Sequence, residues 1–157
     1  EDQVAAAQYF GKLPYIDEDR MAIWGWSFGG FMALNCLTYG NETFKAGISI
    51  APVTDWRLYN TAYTERFMST PQENDLGYEQ SDLITKAHLL KGKLLLCHGT
   101  ADDNVHFQHA MLYCDALVEA GIQFEMQIYP NKNHSILGAK TRYHLYTRFN
   151  TFLKNNL

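Results

Sequence analysis

The chain has 157 residues, 46% hydrophobic and 19% charged, with a formal net charge of −4. A mildly acidic, domain-sized chain offers no basic face for nucleic acid or an anionic membrane surface, and no apolar run approaches the roughly 20 residues that span a bilayer. The 3 cysteines, Cys36, Cys97 and Cys114, lack C-x-x-C spacing, which argues against a disulfide framework or a zinc site and fits buried free thiols. The opening Glu1-Asp2-Gln3, without a Met, reads as the interior of something longer.

The first predicted strand runs from Met21 to Trp26, a continuous apolar run as in a parallel strand covered on both faces. It leads directly into Gly25-Trp26-Ser27-Phe28-Gly29. This G-x-S-x-G pattern can form a nucleophile elbow, where a strand ends in a tight turn and a helix starts right after the serine. Its glycines are expected where the two backbones crowd too closely for a side chain. A helix is predicted over Gly29 to Tyr39, with Gly40 as its C-cap.

The second strand is predicted from Ala46 to Ala51, and Pro52 to Gly92 then forms a connection too long for a simple crossover. Long connections at the carboxyl ends of strands are where sites are built. Within this one, Trp56, Tyr59 and Tyr63 are spaced by three and four, which predicts three rings on one helix face. Such a stripe could face the core. In the connection that must cover a site it could instead form a stiff apolar box, suited to a pyrrolidine ring that has no N–H to satisfy.

The third strand is predicted from Lys93 to His98, ahead of the segment HGTADDNVHF. Phe107 to Ala120 follows as a helix with Phe107, Ala110, Cys114, Leu117 and Val118 on one face, closed by Gly121. From Gln123 to Tyr129 the residues alternate, with Phe124, Met126 and Ile128 set against Gln123, Glu125 and Gln127. That alternation predicts a strand near a sheet edge with one wetter face. Leu145, Phe149 and Phe152 then recur at helical spacing. With no internal repeat, this alternation predicts one α/β domain, a parallel sheet with helices on both faces.

Reactive groups in such a sheet collect beyond the C-terminal ends of the strands. Ser27, Asp102 and His134 fall at such positions, in the order Ser, Asp, His found in α/β-hydrolases. The chemistry needs these types: a serine hydroxyl needs an imidazole to take its proton, and the imidazole needs a carboxylate to fix its tautomer and stabilise the imidazolium. One of Asp102 and Asp103 is expected to be a turn or capping residue. Of the 6 histidines, His88 and His144 lie in helix-like stretches and His98 ends a strand. His106 and His109, spaced by three, could mimic a metal site, but no further ligand cluster accompanies them. His134 is left as the one histidine in a loop after the last strand, and neither metal nor cofactor is called for.

The segments EDQVAAAQYF, AIWGWSFGG, APVTDWRLYNTAYTERFM and HGTADDNVHFQ, with the His134 loop, resemble a known family along essentially the whole chain. That family is the prolyl oligopeptidases, and the likeness is to the C-terminal catalytic part of its dipeptidyl peptidase IV branch, in bacterial form. The resemblance implies the C-terminal half of an α/β-hydrolase fold, with Ser27 as nucleophile, Asp102 as orienting acid and His134 as base. It implies an oxyanion donor in the backbone N–H of Phe28 and a proline pocket of Phe28, Val53, Trp56, Tyr59, Tyr63 and Val105. Asn104 would donate to the carbonyl of the residue preceding that proline.

The activity so implied is release of X-Pro dipeptides from peptide N-termini through an acyl-enzyme, on substrates with proline or alanine in the penultimate position. A dimeric parent enzyme in a periplasmic or other extracytoplasmic setting is implied as well. The sequence departs from the family at Phe28, where relatives often carry Tyr, and at Ala46, where mammalian members carry a disulfide cysteine. The β-propeller with its acidic pair, the first half of the hydrolase sheet and an oxyanion tyrosine have no counterpart in residues 1–157, so Met21 to Trp26 is expected to be an unpaired apolar edge. A prolyl tripeptidyl peptidase would share the same pocket. A carboxylesterase would share the elbow and the triad order but not Asn104 and the aromatic box, and a non-catalytic fragment remains a different class of answer.

Overall fold

Four strands form one parallel sheet in the order β1-β2-β3-β4, in a computed structural model that describes residues 1–40 and 42–157. They are β1 (Ala22–Trp26), β2 (Ala46–Ile50), β3 (Lys93–Gly99) and β4 (Glu125–Tyr129). The helices are α1 (Asp2–Gly11), α2 (Phe28–Tyr39), α3 (Thr61–Met68), α4 (Asp75–Ser81), α5 (Gln108–Glu119) and α6 (Ala139–Asn156). The α/β class and the helices on both faces are as the sequence predicts.

Strand alternation sorts the core into two layers. Leu94 joins Leu34 and Leu37 of α2 and Tyr113 and Leu117 of α5 on one face. The neighbouring Leu95, with Ile48, Ile50 and Cys97, meets Leu145, Phe149 and Phe152 of α6 on the other. Every residue of β2 is buried, and its one polar side chain, Ser49, donates its hydroxyl to the Gly30 carbonyl at 2.9 Å. Each large apolar side chain so buried contributes about 1.5–3 kcal/mol. Cys36 and Cys97 are buried free thiols, and burial pushes the Cys97 thiol up to about 12.

The outer strands differ from their predicted patterns. β1 pairs with β2 alone among the described residues, and Trp24 is 59% exposed, so this apolar strand is not covered on both faces here. β4 lies at the opposite edge as predicted, yet its faces are not cleanly sorted: Ile128 is exposed and Gln127 half-buried. An edge strand meets solvent on more than one side, which blurs the alternation.

The aromatic stripe does not lie on one helix. Trp56 belongs to a short 3-10 turn (Trp56–Leu58), Tyr59 ends that turn, and Tyr63 sits in α3. Asn60 breaks the run, because its side chain accepts the Tyr63 N–H at 2.9 Å and so caps α3. The rings converge nonetheless, with centroids 5.9 Å apart for Trp56–Tyr59, 6.0 Å for Trp56–Tyr63 and 5.4 Å for Tyr59–Tyr63.

Candidate active site

β1 runs into α2 through a turn at Ser27, whose backbone adopts φ 59°, ψ −118°. This is a strained conformation for a residue with a side chain. The surroundings hold it there: the Ser27 N–H donates to the Ile50 carbonyl at 2.8 Å, and the Ser27 carbonyl accepts from the Phe31 N–H at 3.0 Å. A Cβ at Gly25 would lie 2.0 Å from the Gly29 carbonyl oxygen, so this glycine is required sterically. Gly29 is different, since a Cβ there would meet nothing within 4 Å. The second true close approach is at Gly30, 2.8 Å from the Ile50 carbonyl oxygen, one residue beyond the motif. Phe28 is the first residue of α2, so its N–H has no partner within the helix and points from the positive end of the helix dipole.

Asp102 and His134 are brought together from the loops after β3 and β4. His134 Nδ1 lies 2.8 Å from Asp102 Oδ2, with the Asp102 side chain fully buried and that of His134 at 19% exposure. Asp102 Oδ1 accepts the backbone N–H groups of Asn104 at 3.0 Å and Val105 at 2.9 Å. Burial by itself would raise the Asp102 pKa. The hydrogen bonds from His134 and His98, the charge of His134 and the Asn104 N–H outweigh it and hold the carboxyl well below the usual carboxylate range. Asp103 is exposed, and its carboxylate makes no hydrogen bond or ion pair among the described residues. The Ser27 hydroxyl makes no hydrogen bond among the described residues, so the carboxylate–imidazole contact is closed while the serine is free.

Side chains that the sequence reading assigned no role hold the imidazole loop. The Trp26 indole N–H donates to the His134 carbonyl at 2.8 Å. Arg142 lies 5.2 Å over the Trp26 ring and donates to the Ser135 carbonyl at 2.8 Å. The loops after β3 and β4 are laced together by the Ala101 N–H, 3.0 Å from the Lys132 carbonyl. A Cβ at Gly99 would come within 2.2 Å of that same carbonyl oxygen, so this approach needs a glycine. His98 is buried, with Nε2 2.8 Å from the Val105 carbonyl and 3.2 Å from Asp102 Oδ2. His106 and His109 are not arranged as a metal pair: His106 is exposed, while His109 is buried and its Nδ1 accepts the Thr54 N–H at 3.1 Å.

The predicted pocket residues fall in three groups. Phe28, Trp56 and Tyr63 line a cavity of about 410 Å³, together with Phe31, Phe67 and Met68, which spacing did not single out. Val53 and Val105 are buried beneath the surface at 2% and 0% exposure. The Tyr59 hydroxyl donates to Asn104 Oδ1 at 2.8 Å, which fixes the amide and leaves its N–H groups available to an acceptor.

A sequence profile of the prolyl oligopeptidase family matches residues 1–157. The chain is 45% identical over 157 residues to a probable dipeptidyl-aminopeptidase B of Aspergillus oryzae, covering 98% of this chain and 17% of that protein. It is 43% identical over 157 residues to dipeptidyl peptidase 4 of Felis catus, covering 98% and 20% respectively. Among solved structures, dipeptidyl peptidase 4 of Porphyromonas gingivalis superimposes with a TM-score of 0.97 at 58% identity, over 99% of this chain and 22% of that one. The chain therefore spans about a fifth of the length of these relatives.

Proposed function

The chain belongs to the prolyl oligopeptidase family, and from that membership we propose that it carries the catalytic machinery of a serine peptidase that releases X-Pro dipeptides from peptide N-termini. In this reading residues 1–157 are the C-terminal part of an α/β-hydrolase domain within a longer enzyme whose other segments select peptide length. The observation that carries it is the 2.8 Å contact between His134 Nδ1 and buried, ionised Asp102. With Nδ1–H donated to that carboxylate, Nε2 bears the lone pair that a general base needs.

His134 Nε2 takes the Ser27 proton as the Oγ attacks the scissile carbonyl. The Phe28 N–H donates to the oxygen as it becomes negative, at a helix N-terminus whose dipole favours that charge. The imidazolium returns its proton to the leaving amine, giving a serine ester of the dipeptide. Water, deprotonated by the same imidazole, hydrolyses the ester and restores the Ser27 hydroxyl. The converged rings of Trp56, Tyr59 and Tyr63 favour a compact apolar side chain next to the scissile bond, and the free amide N–H of Asn104 offers a donor to the carbonyl one residue further back.

Labelling of the intact protein with a fluorophosphonate probe, followed by peptide mapping, is expected to place the adduct on Ser27. X-Pro amides should be cleaved and simple acyl esters without proline turned over more slowly. Labelling elsewhere, or ester cleavage with no X-Pro amide cleavage, would overturn the assignment.

A further inference from the structure

Resting on the reading of Asp102 and His134 as the acid–base pair, we propose that His98 is a positioning residue of this site: its Nε2–H holds Asp102 Oδ2 in register with His134 and ties the carboxylate to the Val105 carbonyl. His98 is 0% exposed, the penultimate residue of β3 before the aspartate loop. Its Nε2 faces two oxygens, the Val105 carbonyl at 2.8 Å and Asp102 Oδ2 at 3.2 Å. Neither can donate a proton, so the hydrogen between them belongs to Nε2 and is shared by both acceptors. Nδ1 is buried and has no hydrogen-bond partner among the described residues, which leaves it as the bare nitrogen of the ring.

The result is a closed circuit. Val105 donates its N–H to Asp102 Oδ1 and accepts from His98 through its carbonyl, while His98 also reaches Oδ2. Both carboxylate oxygens are thus fixed from behind, and rotation of Asp102 away from His134 would break contacts on each side. The Phe107 ring packs edge-on against the imidazole, centroids 5.6 Å apart at 80°, which sets its plane. A histidine that only filled space would have no reason to aim its one N–H at the oxygen that also meets His134.

The test compares His98→Gln and His98→Leu in the intact protein. Leu approximates the volume and removes the donor, whereas Gln offers an amide N–H in its place. His98→Leu is expected to lose roughly 10- to 100-fold in kcat with KM within about twofold, the size of effect seen when a supporting partner or about 1 Å of alignment is lost. His98→Gln should recover most of that loss. Equal impairment of the two variants, or full kcat in His98→Leu, overturns the proposal.

Should His98→Leu fail to fold, the tautomer in the unsubstituted protein decides. Neutron diffraction or ¹⁵N spectroscopy is expected to find the proton on Nε2, and a proton on Nδ1 with Nε2 bare overturns the assignment. Failure of the proposed function would look different, because the Ser27→Ala variant would then retain its activity whatever His98 does.

Discussion

The indole N–H of Trp26 donates to the backbone carbonyl of His134 across 2.8 Å, although 108 residues separate them in the chain. The residue that precedes Ser27 therefore holds the loop that carries the imidazole. Arg142 closes this clamp from above, over the Trp26 ring and onto the Ser135 carbonyl. Trp26→Phe keeps an aromatic ring and deletes the donor. A net hydrogen bond of about 0.5–1.5 kcal/mol corresponds to a fall in kcat of about twofold to tenfold, with KM little changed. Steady-state kinetics on an X-Pro amide would show it, and an unchanged kcat would contradict the clamp.

The two neighbouring aspartates should behave very differently. Asp102 receives hydrogen bonds from Asn104, Val105 and His134, while Asp103 is exposed. In Asp102→Asn an amide nitrogen would confront N–H donors or force His134 into the wrong tautomer, and a loss of about 10⁴-fold in kcat is expected by analogy with the same change in a Ser-His-Asp triad. Asp103→Asn should stay within about threefold, in line with surface substitutions that touch nothing. Ser27→Ala and His134→Ala should each cost several powers of ten, with circular dichroism unchanged. A larger effect of Asp103→Asn than of Asp102→Asn would reverse the assignment.

The sequence and the structure agree where one local rule decides and diverge where several compete. β1 was legible from its apolar run and β4 from its alternation, and the placing of Ser27, Asp102 and His134 just beyond strands from where the strand patterns end. The aromatic box was legible as a set of rings but not as a helix face, because the capping preference of Asn60 outweighs helical periodicity. Gly29 shows the limit of a motif, since the steric demand falls on Gly25 and Gly30 instead. Trp26 and Arg142 act through contacts between segments far apart in sequence, and His98 through a local turn of the chain. His98 in particular sits only four residues before Asp102, yet as a strand-end histidine it carries no distinguishing signal until the fold turns Nε2 onto the carboxylate.

Specificity should reside in the ring cluster. Trp56 is 6% exposed and packs against Phe28, Phe31, Tyr59 and Tyr63, with the Trp56 and Tyr63 planes inclined by only 18°. Trp56→Ala and Tyr63→Ala should enlarge the space beside the elbow and erode preference for proline over bulkier residues by about 10- to 100-fold in the ratio of kcat/KM values, the size expected for a mismatched apolar pocket. Competition between X-Pro and X-Leu amides measures that ratio. A uniform loss on both substrates would mark the rings as structural packing only.

The open edge of β1 makes a prediction about association. β1 pairs with β2 alone among the described residues, and a cavity of about 640 Å³ bordered by Phe10, Ile16, Ile23 and Trp24 runs beside it. An apolar strand edge of this kind is a template for another strand. Residues 1–157 produced by themselves should elute in size-exclusion chromatography as species larger than a monomer and cleave X-Pro amides feebly. A clean monomer with ordinary enzyme rates would contradict this.

Acid stability should carry the mark of one buried histidine. Burial pushes His109 down to about 4, with its Nδ1 committed to the Thr54 N–H at 3.1 Å. In the unfolded chain the same ring titrates near 6.5. Above that value both states hold a neutral imidazole and the full contribution to stability is present. As pH falls from about 6.5 towards 4 the unfolded state binds a proton that the native state refuses, so stability declines, by about 3 kcal/mol in all. Asp102 does not contribute to this window, because its depressed pKa costs stability only below the unfolded carboxylate value near 4. His109→Gln keeps an acceptor for Thr54 without a group that titrates, so its urea-unfolding free energy should fall less between pH 7 and 4.5 than that of the unsubstituted protein, by about 2–3 kcal/mol. Parallel declines in the two proteins would show that His109 is protonated in the native state as readily as in the unfolded one.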